Sequence, residues 1–108
     1  MSDINYIEAI VKILEPPKQK SINNNITFVT FRAQLASIRK PQIVKITFWG
    51  NLAQDIINQY KINQYLLIEG YSSFRNFTNL QKISKRVEIT GLRVYPFCLK
   101  TNNFNNQL

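Results

Sequence analysis

Between Ile26 and Ala36 the chain changes character at every step: Val29, Phe31, Ala33 and Leu35 fall on one parity, and Phe28, Thr30, Arg32 and Gln34 on the other. A period of two sends the first set to one face of a strand and the second to the opposite face, so this segment is a strand buried on one side only. The stretch from Gln42 to Trp49 repeats the rule, with Val44, Ile46 and Phe48 directed inward and Ile43, Lys45, Thr47 and Trp49 outward. Two such strands call for a sheet with one covered and one open face. The joint between them, Ser37 to Pro41, carries Arg39 and Lys40 at its tip.

The remaining segments fit around this pair. Tyr6 to Leu14 is rich in Ile and Val and stops at Glu15-Pro16-Pro17, where two prolines remove backbone donors; it reads as the first strand. Lys18 to Asn25 is polar and ends in an Asn run, which predicts a mobile basic loop. After Gly50 the period changes: Leu52, Ala53, Ile56, Ile57 and Tyr60 recur at helical spacing, and Asn51 with Gln54 resembles a capping box. A fourth strand follows from Tyr65 to Phe77, with Leu66, Ile68, Gly70, Ser72 and Phe74 inward and Glu69, Tyr71, Ser73, Arg75 and Phe77 outward. A polar stretch from Thr78 to Ser84 leads to a fifth strand, Lys85 to Tyr95, whose parity slips at Gly91 and so predicts a bulge.

Three strands, a helix and two strands within 108 residues leave room for one domain, and their order is that of the all-β, five-stranded Greek-key barrel known as the OB-fold, with one short helix between strands three and four. A small SH3-like barrel is the runner-up. The helix favours the OB-fold, as do Gly50, Gly70 and Gly91, which lie on or beside strands that a closed barrel must coil. The expected domain covers residues 1–98, and the Asn-rich tail over 99–108 is expected to be disordered.

Fourteen Lys and Arg against six Asp and Glu give a formal charge of +8, the footprint of a polyanion binder. Phe28, Arg32, Lys45, Trp49, Tyr71, Arg75 and Phe77 all share the outward parity, so rings and cations interleave on one face. Unpaired bases stack on rings at about 1–3 kcal/mol each while cations follow the phosphates, and such a face suits single-stranded nucleic acid with little base preference. The competing reading buries the rings in a protein interface, where each cation would need a partner after desolvation. Among Lys18, Lys20, Arg39, Lys40, Lys82, Lys85 and Arg86, solvation is the default, and Lys85-Arg86 is the best placed to join the groove. RNA stays an alternative, because no residue is assigned to a 2′-hydroxyl.

Other functions find no support in these residues. The chain has no His, its acids are scattered, and Cys98 is its one cysteine, so neither an internal disulfide nor a Cys/His metal site is expected, and no enzyme, metal or other cofactor. No apolar run reaches a membrane span of ~18 residues, and no signal or transit pattern is expected at the N-terminus. Fifteen Ile, thirteen Asn and nine Lys point to AT-rich coding, as in an organelle genome or an AT-rich bacterium.

The run Ile46-Thr-Phe-Trp-Gly-Asn-Leu-Ala53, then the helix, then Tyr65-Leu-Leu-Ile-Glu-Gly-Tyr71, resembles the bacterial single-stranded DNA-binding protein family, above all its short cyanobacterial and plastid-genome-encoded branch. The likeness covers about residues 4–97. It implies strand binding in replication, recombination or repair, assembly into a homo-dimer or tetramer, and residence in the plastid stroma or, alternatively, a bacterial cytoplasm; replication proteins are candidate partners, though not through the recruitment route of the bacterial members. It also implies stacking roles for Trp49 and Phe77. Two other family rings fall near Ile43 and near Ser37 or Ile38, where this chain has none, and the acidic tail typical of bacterial members has no counterpart in 102–108. A primosomal replication accessory of the same fold, or a protein-interaction module using the same face, is the alternative.

Overall fold

The computed structural model describes residues 4–36, 42–79 and 82–98, without the side chains of Ile4 and of residues 75–79 and 82–86. Its elements are β1 (Ile4–Ile13), β2 (Lys18–Ile22), β3 (Ile26–Leu35), β4 (Gln42–Trp49), α1 (Asn51–Gln59), β5 (Tyr65–Asn79) and β6 (Lys82–Phe97). The strands form one sheet in the order β1-β5-β6-β4-β3-β2, and a further pairing of β1 with β3 closes five of them into a barrel. All ladders are antiparallel except β4 with β6. This is the OB-fold expected from the sequence, with α1 between the third and fourth barrel strands.

The alternation that predicts the strands also builds the core. Val29, Phe31 and Ala33 of β3 and Val44, Ile46 and Phe48 of β4 are buried, as their parity requires. They meet Val11 and Ile13 of β1, Leu66 and Ile68 of β5 and Ile89 of β6. The rings of Phe31 and Phe48 lie nearly parallel, 6.4 Å apart at 15°. Ala53 and Ile56, on one face of α1, and Tyr60, its C-cap, add to the same core. The expected Asn51–Gln54 capping box does not form, because Asn51 is already inside the helix and Gly50 is its N-cap. Gly50 holds φ at +67°, a conformation that side chains rarely adopt, and gives its N–H to the Thr27 carbonyl at 2.9 Å.

The segment expected as a loop, Lys18 to Asn25, is instead β2 and a tight turn. All five residues of β2 are exposed, so no apolar rhythm reveals the strand in the sequence. Its order comes from the β3 backbone, with which Lys18 to Ile22 pair, and from Asn23 and Asn24, whose φ of 55° and 64° suit the left-handed turn that a hairpin needs. β1 and β2 thus share one edge of β3, separated by Leu14 to Pro17. At that break Glu15 replaces a strand: its carboxylate accepts the Arg32 backbone N–H at 2.8 Å and the Arg32 Nε–H at 3.2 Å. Burial pushes the Glu15 carboxyl pKa up, but the Arg32 hydrogen bonds and the charges of Arg32 and Lys18 outweigh it and hold the group below its ordinary value.

Two further expectations change. Thr78, Asn79 and Lys82 to Ser84 are strand, not loop, since the β5–β6 ladder continues as a two-stranded ribbon to Asn79 opposite Lys82. Phe74 has the inward parity but is 50% exposed, because β1 ends its pairing at Ser73 and, among the described residues, no core residue of β5 lies beyond that point. The predicted bulge is present: Glu69 faces Arg93 and Gly70 faces Gly91, so Leu92 is the extra residue beside Gly91. The Ser37–Pro41 joint with Arg39 and Lys40, and the tail over 99–108, lie outside the described residues.

Candidate nucleic-acid interface

Register converts the outward residues into rows across the barrel surface. Phe28 of β3 stands opposite Trp49 of β4, and their rings pack at 4.6 Å with a 34° tilt. Trp49 nevertheless stays 42% exposed. Four residues along the same strands, Arg32 stands opposite Lys45, so a ring pair and a cation pair lie on either side of the Thr30–Thr47 pair. Four of the residues singled out from sequence are thereby gathered on one strand pair. The two rows are separated by roughly 13 Å, so the cation pair would meet phosphates further along a strand than that of a base on the rings.

The cations are not all equally available. Arg32 Nε is held by Glu15, so a phosphate at Arg32 competes with a carboxylate already in place. Lys45 has Glu88 as its register neighbour on β6, and Glu88 in turn faces Ser73 of β5. Tyr71 lies on β5, opposite Thr90 of β6, which pairs with Thr47 of β4. It therefore joins the same face at a distance of two strands from the ring pair. Arg75 and Arg86 are register partners on the ribbon, as are Asn76 with Lys85 and Phe77 with Ser84; the side chains of Arg75, Phe77, Lys85 and Arg86 lie outside the described residues.

Three residues that the sequence reading leaves outside the candidate site border this face. Lys18 and Lys20, assigned to a loop, are register partners of Thr30 and Phe28, so β2 carries two cations beside the ring pair. Their spacing in Lys18-Gln-Lys20 is the one trace of a strand there. Tyr6, on β1 opposite Tyr71, is 57% exposed, and the two rings meet edge to face at 5.8 Å and 76°. Its alternation with Ile7 is visible in the sequence and marks it as outward. The Tyr6 phenol donates to Glu69 Oε1 at 3.0 Å; that hydrogen bond, then burial and then the Glu69 charge, raise its pKa. Arg93 Nη1 lies 3.4 Å from the same oxygen.

If Lys18 and Lys20 flank the bound strand, replacing both with Gln should lower the slope of log affinity against log salt by about 1.4, near 0.7 for each lost phosphate contact. The fold should be unaffected because both side chains are exposed. Titrations over a range of salt check this, and an unchanged slope would place β2 outside the site.

Among the described residues no helix is long and apolar enough to cross a membrane. No family model matches the chain. A protein of Trieres chinensis named "Putative single-stranded DNA-binding protein ycf41" is 34% identical over 103 residues, covering 89% of this chain and 91% of the relative. Among solved structures, a small single-stranded DNA-binding protein from Streptomyces coelicolor matches with a TM-score of 0.78 at 12% identity, over 88% of this chain and 95% of its own. The single-stranded DNA-binding domain of a Synechococcus protein matches with 0.67 at 22% identity, over 88% and 98%. The second single-stranded DNA-binding protein of Mycobacterium smegmatis gives 0.65 at 20% identity, over 84% and 86%.

Proposed function

The chain belongs to the ycf41 family of single-stranded DNA-binding proteins, and from that premise we propose that it binds single-stranded DNA by base stacking and phosphate contacts, with little sequence preference. The observation that carries the reading is the Phe28–Trp49 ring pair, half open to solvent, with Lys20 beside it in the same row and Arg32 and Lys45 four residues along the same strands. Rings offer bases a flat partner that pairing in a duplex would hide, and the cations release counterions when phosphates replace them. Phe28, Trp49, Tyr71 and Phe77 are assigned to stacking, and Arg32, Lys45, Arg75, Lys85 and Arg86 to phosphates.

In this reading residues 1–98 form the binding domain, with 99–108 a tail outside it. The protein acts on DNA exposed during replication, recombination or repair, without catalysis. The Ile, Asn and Lys content supports plastid coding and action in the stroma, with a bacterial cytoplasm as the alternative. Assembly into a dimer or tetramer is supported by apolar register rows on the outer face of β1, β5 and β6, where Ile10, Leu67 and Tyr95 line up and Tyr65 faces Phe97.

Trp49 is the one tryptophan, so its fluorescence reports on the site directly. Oligo-dT is expected to quench Trp49, duplex of equal length to do so far less, and the affinity to fall steeply as salt rises. Equal quenching by duplex would remove the single-strand reading. Tight binding of a protein partner on this face, insensitive to salt, would replace it with an interaction module.

A further inference from the structure

One register row crosses all six strands without a break: Lys18, Thr30, Thr47, Thr90, Tyr71 and Tyr6, on β2, β3, β4, β6, β5 and β1 in turn. Neighbouring strands lie about 4.8 Å apart, so the row extends roughly 24 Å over the curved surface. A lysine stands at one end and two exposed tyrosines at the other. The three positions between them carry short, uncharged threonines. Thr30 is 8% exposed, and its hydroxyl has no hydrogen-bond partner among the described residues. No large side chain of this row therefore separates the Phe28–Trp49 pair from Tyr71, which lies roughly 12 Å away, two strands across and one row along.

The far end is built, not incidental. Tyr6 is fixed at its hydroxyl by Glu69, which Arg93 holds in turn, yet its ring remains more than half exposed. A ring tethered at its tip has lost its rotamer freedom before any ligand arrives, and so gives up little on binding. The next row, Glu8 opposite Glu69 and Glu69 opposite Arg93, sets two carboxylates side by side and repels phosphates. That charged row also divides the tyrosines from the apolar positions Ile10, Leu67 and Tyr95. The tyrosines thus belong with the cationic, hydroxyl-bearing side of the barrel.

We propose that Tyr6 and Tyr71 form a second base-stacking platform, so that a bound single strand runs across the β-strands from the Phe28–Trp49 pair, over Thr47 and Thr90, to β1. The proposal rests on the single-strand reading above and adds to it a direction for the strand and a role for Tyr6. It also supplies rings in place of those that the family resemblance expects near Ile43 and Ser37 and that this chain does not have there.

The test measures Trp49 quenching by oligo-dT of about two and about twelve nucleotides, for the unaltered chain, Tyr6→Leu and Tyr6→Phe, with sedimentation of each. A strand held at Trp49 alone should not sense Tyr6, so Tyr6→Leu should leave the short oligonucleotide within about twofold and weaken the long one by about 5- to 50-fold. Tyr6→Phe keeps the ring and should retain most of the affinity. Unchanged affinity of Tyr6→Leu for the long oligonucleotide, or an equal loss at both lengths, overturns the proposal. So does dissociation of an oligomer by Tyr6→Leu with unaltered affinity per chain, which would make the tyrosines a subunit contact. Failure of the long oligonucleotide to quench Trp49 in the unaltered chain removes the single-strand reading itself, and the proposal with it.

Discussion

Gly70→Ala should destabilise the barrel by about 3 kcal/mol, at the upper end of the range for overpacking, and more than any single change on the outer face. Gly70 is buried in β5 at the point where the register with β6 shifts, and a Cβ there would overlap the Thr90 carbonyl oxygen and lie 2.9 Å from its carbon. Those atoms belong to the backbone, so relief requires β5 and β6 to move apart rather than a side chain to rotate. The β5–β6 ladder is the longest in the molecule and joins the ribbon to the barrel, and such a movement disturbs both. Gly50→Ala is the control: a Cβ there meets nothing within 4 Å, so its cost is only that of placing a side chain at φ +67°. Chemical denaturation of both variants checks the ranking, and a loss at Gly70 no greater than that at Gly50 would show that β5 and β6 are less closely apposed than described.

The sequence makes a strand legible when that strand divides two environments, and hides it when it does not. β3 and β4 separate core from solvent, so Val29, Phe31, Ala33, Val44, Ile46 and Phe48 announce themselves by parity. β2 has solvent on all sides of its residues and is specified by hydrogen bonds to β3, which leave no mark on side-chain polarity. On β5 parity misplaces Phe74, which is exposed although its direction is inward, because an inward direction means burial only where a core lies beneath.

The candidate site divides along the same line. Phe28, Arg32, Lys45 and Trp49 lie on strands whose inward faces are unmistakable, so their outward direction follows by subtraction. Which outward residues become neighbours is another matter, for it depends on register between strands distant in sequence. Tyr6 and Tyr71 are 65 positions apart yet directly opposed, and Lys20 reaches the Phe28–Trp49 row only through the hairpin. Nor does composition reveal that Glu15 occupies the Arg32 Nε, since that contact exists because two prolines break the edge strand at that point.

Trp49→Ala should weaken oligo-dT binding by about 1–3 kcal/mol, roughly 5- to 150-fold, through loss of one stacking face. Its effect on stability should be smaller and not zero. Trp49 is 42% exposed and outside the core, but its ring lies on that of Phe28, and such aromatic pairs contribute about 0.5–1.5 kcal/mol beyond area burial. Trp49→Phe separates the two effects: it restores a ring to pack on Phe28 and should recover most of the stability while regaining part of the affinity, since a smaller ring still stacks. Affinity must then be read from a labelled oligonucleotide, because the intrinsic probe is gone. Thermal melting and sedimentation of the same preparations complete the measurement. Should Trp49→Ala lose several kcal/mol of stability, or dissociate an oligomer, while each folded chain binds oligo-dT as before, Trp49 is an interface residue and the strand lies elsewhere on the barrel.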